Sequence, residues 1–231
     1  MIEHIYRVNK LDFDNLKDAE TFEKYSSLFS NEQLKEIYNG YLSKIDYKIY
    51  LNDEFTPEQM KQVRLGLENN VDVSVYANSK YDWQQMEQIR LELEKGLNPV
   101  EISKYANPIY SIPQMYELFR GIERNLDVTY YANPEFNTNQ MIEIRYGMLG
   151  GVDVTIYARP EFNENQMYQI RLGLEKGLDV SVYANLEFNC FQMEQIRSGI
   201  ENNIDVNSYL NPTIYWKEMK RIRLELESNN E

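Results

Sequence analysis

Six arginines and six glutamates are the first candidates for chemistry, because they recur four residues apart along the chain. Arg64, Arg90, Arg145, Arg171, Arg197 and Arg223 share one slot, and Glu68, Glu94, Glu123, Glu175, Glu201 and Glu227 share the slot four residues later. Residues four apart lie on one face of a helix. The pairs are therefore either an ion-pair ladder or a row of carboxylates for acid–base work. Arginine forks bind carboxylates bidentately, and a group that recurs in every repeat is better explained by holding repeats together than by catalysis. Two exceptions refine this reading. Phe119 replaces Arg where Glu123 is kept, and Leu149 replaces Glu where Arg145 is kept, which predicts a Glu123–Arg145 pair across a repeat boundary.

Other reactive groups are few. The single histidine, His4, leaves almost no material for His-based triads, zinc sites or general bases. Cys190 is the only cysteine, so no internal disulfide framework is possible, and the chain suits a reducing, cytoplasmic compartment. No Gly-rich phosphate loop is present. Aspartates recur once per repeat, too far apart to share a calcium ion, because packed helices stand about 10 Å apart. Neither a metal nor any other cofactor is expected, and the chain reads as a non-enzyme. A net charge of -13 argues against direct binding to nucleic acid or to an anionic membrane surface. The N-terminus has no apolar leader core, and no stretch approaches the ~18 apolar residues of a membrane span.

The elements that must position these groups are written in a repeat. Leu34, Met60, Met86, Met115, Met141, Met167, Met193 and Met219 stand 26 residues apart, except for 29 between Met86 and Met115. A fixed period of this length marks a solenoid. Each unit opens on a capping box, as in Thr56/Gln59, with the same slots reading Ser30/Gln33, Asp82/Gln85, Ser111/Gln114, Asn137/Gln140, Asn163/Gln166 and Asn189/Gln192. The aromatic before the cap, such as Phe55, is placed to staple onto the Met. Met60, Val63 and Leu67 form an amphipathic stripe. The helix then stops at a residue that tolerates a left-handed backbone: Asn70, Gly96, Asn125, Gly151, Gly177, Asn203 or Asn229.

An Asp cap such as Asp72 next starts a second helix of one to two turns, which carries a tyrosine in every unit: Tyr50, Tyr76, Tyr105, Tyr131, Tyr157, Tyr183 and Tyr209. Core packing with the hydroxyl at the rim is the expected role of these rings. The extra residues of the long unit fall at Pro99–Glu101, where helix-start signals predict a longer second helix. Gly40, Gly66, Gly121, Gly147, Gly173 and Gly199 sit inside the first helices. Interior Gly costs a helix about 1 kcal/mol against Ala, and the expected compensation is close approach of a neighbouring backbone.

Function in a solenoid resides where repeats differ on an exposed face. The slots one and five residues after the Met give Tyr116/Arg120, Ile142/Tyr146 and Tyr168/Leu172 in the three central units, against Lys61/Leu65, Glu87/Leu91, Glu194/Ser198 and Lys220/Leu224 outside them. Tyr116, Arg120, Ile142, Tyr146, Tyr168 and Leu172 are thus the candidate partner-binding residues, since Tyr and Arg concentrate at interaction hot spots. Residues 1–28 break the repeat and read as an N-terminal helical cap. Residues 29–231 read as one continuous array of about seven repeats, whose last unit is either a polar cap or part of something longer.

The string Q-M-x-x-I-R-x-G-L-E-x-G-L-D-V-S-x-Y-A, from Gln166 to Ala184, resembles a short helical repeat of uncharacterised bacterial and phage-borne proteins. The resemblance covers about residues 29–231, implies an interaction module of mobile elements, and carries over no functional residue. The expected protein is an all-α solenoid that binds a protein partner through its central patch. The alternative is an acidic inhibitor that mimics nucleic acid to occupy a nuclease or DNA-binding protein.

Overall fold

The structure is a computed structural model that describes residues 28–229. The expected N-terminal cap and His4 lie outside the described residues, except for exposed Leu28. The protein is an all-α helical-repeat solenoid, with no strand among the described residues. It divides into two compact units, Met1–Ile112 and Pro113–Glu231. The first holds α1 (Asn31–Leu42), α2 (Pro57–Glu68), α3 (Trp83–Glu94) and α4 (Pro99–Tyr105); α1 packs on α2 and α2 on α3. The second holds α5 (Ile112–Glu123, which begins at the boundary), α6 (Thr138–Leu149), α7 (Glu164–Glu175), α8 (Cys190–Glu201) and α9 (Trp216–Asn229); α6 packs on α7, α7 on α8 and α8 on α9.

Local chemistry starts and stops these helices. Reciprocal capping boxes form at Ser30/Gln33, Thr56/Gln59, Asp82/Gln85, Asn137/Gln140, Asn163/Gln166 and Asn189/Gln192. Left-handed residues follow the helices at Lys44, Asn70, Gly96, Asn125, Gly151, Gly177 and Asn203. Lys44 fills a slot the sequence pattern did not mark, whereas Asn229 remains helical.

The second helix is shorter than expected. In most repeats it is a single 3-10 turn, as at Val73–Val75, Val128–Tyr130, Val154–Ile156 and Val206–Ser208. Asp72 accepts from the Ser74 N–H at 3.1 Å, which holds the turn, and Tyr76 then leaves helical geometry to face inward. Only the long repeat has a true second helix, α4, where Pro99–Glu101 were expected to lengthen it.

The tyrosines are the main correction. Tyr50, Tyr76, Tyr131, Tyr157, Tyr183 and Tyr209 are fully buried, hydroxyl included, and do not sit at the rim. Tyr76 donates to the backbone carbonyl of Gln62 at 3.2 Å, and Tyr157 to that of Glu143 at 3.1 Å. That carbonyl belongs to the residue four before the glycine. The glycines accordingly make room for a hydroxyl rather than for a backbone: a Cβ on Gly66 or Gly147 would lie 1.9 Å from the Tyr76 or Tyr157 oxygen. The stripe rotates to match. Gln59, Gln62 and Gly66 are buried beside Met60 and Val63, while Leu67 is only half-buried.

The long repeat breaks this rule in a concerted way. Its glycine slot holds Glu92, which is buried and accepts from Gln88 at 2.9 Å and from Lys95 at 2.8 Å. Tyr105 is only half-buried, and Ile102 of α4 is fully buried. A side chain in the glycine slot leaves no seat for the tyrosine, and the added turn brings in an aliphatic residue instead.

Candidate interaction surface

The two side chains of each helix start do more than cap it. In the capping box the Gln side-chain oxygen accepts from the N-cap N–H, as at Asn137 and Gln140 (2.7 Å). The amide nitrogen of the same Gln140 donates to the carbonyls of Pro160 and Phe162 in the next repeat, at 2.9 and 2.5 Å. Gln33, Gln85, Gln114 and Gln192 make the equivalent two bonds, to Asp53 and Phe55, Pro108 and Tyr110, Pro134 and Phe136, and Pro212 and Ile214. Glutamate satisfies a capping box as well as glutamine does, but only an amide carries donors for the following loop.

The arginine ladder is likewise bifunctional. Arg171 uses Nε to reach Glu143 of the preceding helix at 2.8 Å and Nη1 to reach Glu175 of its own helix at 2.6 Å. Arg64 does the same with Glu36 and Glu68, at 2.8 and 2.9 Å. Arg90, Arg197 and Arg223 use Gln62, Gln169 and Gln195 as the preceding acceptor, at 3.0, 3.0 and 3.3 Å. The expected Glu123–Arg145 pair is not made. Arg145 joins buried Glu117 of α5 at 2.7 Å, and Glu123 pairs with Arg120 within α5 at 2.8 Å. The inter-repeat partner lies two residues after the Met, a slot that helical spacing within one repeat does not reveal.

This ladder underlies the candidate patch. Tyr116 on α5, Tyr146 on α6 and Tyr168 on α7 are exposed, Tyr146 by 47%. The Arg145 guanidinium carbon lies 4.9 Å from the Tyr146 ring centre and that of Arg171 lies 5.7 Å from it, so two ladder arginines flank one ring. Arg171 also lies 5.3 Å from the Tyr168 ring. Ile142 and Tyr168 line a cleft of about 290 Å³ with Asn139, Glu143, Glu164 and Asn165. Leu172 is half-buried. Tyr116 and Arg120 meet within α5 at 5.5 Å, and the link from α5 to Tyr146 runs through Glu117 and Arg145. The structure therefore brings Ile142, Tyr146 and Tyr168 into one group around Arg171 and leaves Tyr116 and Arg120 as a neighbouring pair.

The sequence pattern assigned Arg145 and Arg171 to scaffolding, although they also back the aromatic rings. It missed a second aromatic group as well. Phe191 stacks on Trp216 at 5.3 Å, Tyr215 lies 5.8 Å from Trp216, and Lys217 sits 5.5 Å above the Trp216 ring. The signal was present in the pattern: Phe191 fills a slot that is never aromatic in the other repeats, and Tyr215 fills the N-cap slot. Cys190 is half-buried at the start of α8, and burial pushes its thiol up, away from a reactive thiolate. Among the described residues no cluster of three or more His, Cys, Asp or Glu is placed to hold a metal ion, and no helix is long and apolar enough to cross a membrane.

No family model matches the chain, and neither a curated protein nor a solved structure does.

Proposed function

We propose that the protein is a non-enzymatic interaction scaffold, a cytoplasmic module of the bacterial or phage-borne repeat type, that captures a protein partner through Ile142, Tyr146 and Tyr168 with Tyr116, Arg120 and Leu172 beside them. The observation that carries this reading is the fixing of exposed rings by buried ion pairs. Arg145 and Arg171 are tied to Glu117 and Glu143, and their guanidiniums flank Tyr146 and Tyr168. A ring already held in place loses less conformational freedom on binding, which is the usual route by which aromatic anchors become hot spots.

The test is capture from an extract of the source cell by the wild-type chain and by the Tyr116→Ala, Tyr146→Ala, Tyr168→Ala triple variant. The variant is expected to retain its circular dichroism and melting temperature and to lose a partner that the wild-type chain holds. Equal capture by both would discard this reading.

The acidic-mimic alternative draws on a different edge. Asp127, Asp153, Asp179 and Asp205 present one exposed carboxylate per repeat in the second unit, whereas the Glu ladder is neutralised by its arginines. Salt separates the two readings. Capture by the aspartate edge weakens steeply as ionic strength rises beyond about 0.15 M, where the screening length is about 8 Å, and capture by the aromatic patch persists.

A further inference from the structure

In each repeat three groups hold the next repeat: the Gln that clamps the following loop, the Glu or Gln two residues after the Met that accepts from the following Arg, and the Gly that seats the following Tyr. In α8 these are Gln192, Gln195 and Gly199; Gln192 binds Pro212 and Ile214, Gln195 accepts from Arg223, and Gly199 receives the Tyr209 hydroxyl. In α9 all three change together. The clamp slot holds Glu218, the acceptor slot Arg221 and the glycine slot Glu225. These substitutes satisfy one another: Arg221 binds Glu218 at 2.6 Å and also binds Glu225. The N-cap slot changes with them, to Tyr215, whose ring is 61% exposed.

We infer that the outer face of α9 is a stop surface that rejects a further repeat of this kind, whether it comes from the same chain or from a second copy. Each change opposes one contact by its own mechanism. Glu218 has no donor for a loop carbonyl. Arg221 meets an incoming Arg with like charge. The Glu225 Cβ fills the space where the other repeats seat a hydroxyl, 1.9 to 2.0 Å from the Cβ position. Blocking an adhesive edge by charge and bulk is how open-ended stacking is avoided. The long repeat shows that one such change is tolerated only with compensation, since Glu92 in the glycine slot accompanies the three-residue insertion and a displaced Tyr105.

The test inserts a second copy of residues 178–203 between Asn229 and Asn230 of the full chain, once with α9 unchanged and once with Glu218→Gln, Arg221→Gln and Glu225→Gly. Limited proteolysis and amide hydrogen exchange of the inserted helix report docking. The triple variant without the insert is checked first for an unchanged melting transition. If that variant fails to melt cooperatively, Glu225→Gly alone, with the insert, replaces it. The inserted helix is expected to be cut rapidly on the unchanged face and at least about tenfold more slowly on the substituted one, in proportion to its open population. Protection on both faces, or on neither, would overturn the inference.

Discussion

A hydroxyl and a missing methyl are the smallest units on which this protein depends. The Tyr157 oxygen occupies the position that a Cβ on Gly147 would claim, and the next nearest atoms, on Val152 and Val154, lie 3.1 Å away. Helix propensity alone would favour Ala at that site by about 1 kcal/mol. Overpacking a filled core costs about 1–3 kcal/mol, and here it outweighs propensity, because the hydroxyl must also give up its carbonyl at Glu143. Gly147→Ala is therefore expected to lower stability in urea by about 1–3 kcal/mol. Adding Tyr157→Phe, which removes the colliding oxygen, should return part of that loss. A neutral or stabilising Gly147→Ala would show that the hydroxyl does not own the space. The pairing was only half legible: the sequence shows a Gly and a Tyr in fixed register, but their meeting 14 residues after the shared carbonyl is a property of the folded turn.

At the scale of the element, a helix start here is also a joint. Gln140 closes its own capping box and clamps two carbonyls of the next loop. Gln140→Glu keeps the capping acceptor but sets a carboxylate oxygen against the Pro160 and Phe162 carbonyls, leaving all of them without a donor. The expected loss is about 1–3 kcal/mol at neutral pH, the cost of stranding buried polar groups. Acidification should recover part of it, because a protonated carboxyl donates again. Urea denaturation at pH 7 and at about pH 4, near the ordinary Glu value, checks both parts; a neutral substitution would leave the clamp without energetic weight. Capping boxes, stops and the insertion could be read from the sequence because each is chemistry within a few residues. The clamp could not, since its acceptors stand about twenty residues away and are backbone atoms that carry no sequence identity.

For the whole molecule, the buried tyrosines make stability a function of alkaline pH. Burial raises the phenols of Tyr50, Tyr76, Tyr157 and Tyr183 well above their ordinary value and pushes Tyr209 up to about 12. The unfolded chain releases these protons near pH 10, while the folded chain holds them. The stabilising contribution is therefore complete below about pH 10 and is lost as pH rises through the folded values. Phenolate absorbance and circular dichroism followed together from about pH 9 to 12 should show the exposed tyrosines titrating first and the buried group ionising only as helicity is lost. Early titration of all 19 tyrosines with helicity intact would contradict the burial described above.

The period, the caps and the left-handed stops were determined by the sequence, because each is set by backbone geometry and hydrogen bonding over three or four neighbours. The six candidate surface positions were found by the same means, as departures from that period. Only the tertiary structure decided what each recurring residue touches. It turned the Arg ladder outward to the preceding helix and beneath Tyr146 and Tyr168, gave the glycines to tyrosine hydroxyls, and set Glu218, Arg221 and Glu225 against one another on α9. Those contacts join groups from 14 to 28 residues apart, or oppose three slots on one face, and their energy depends on distances that appear only once the repeats are stacked.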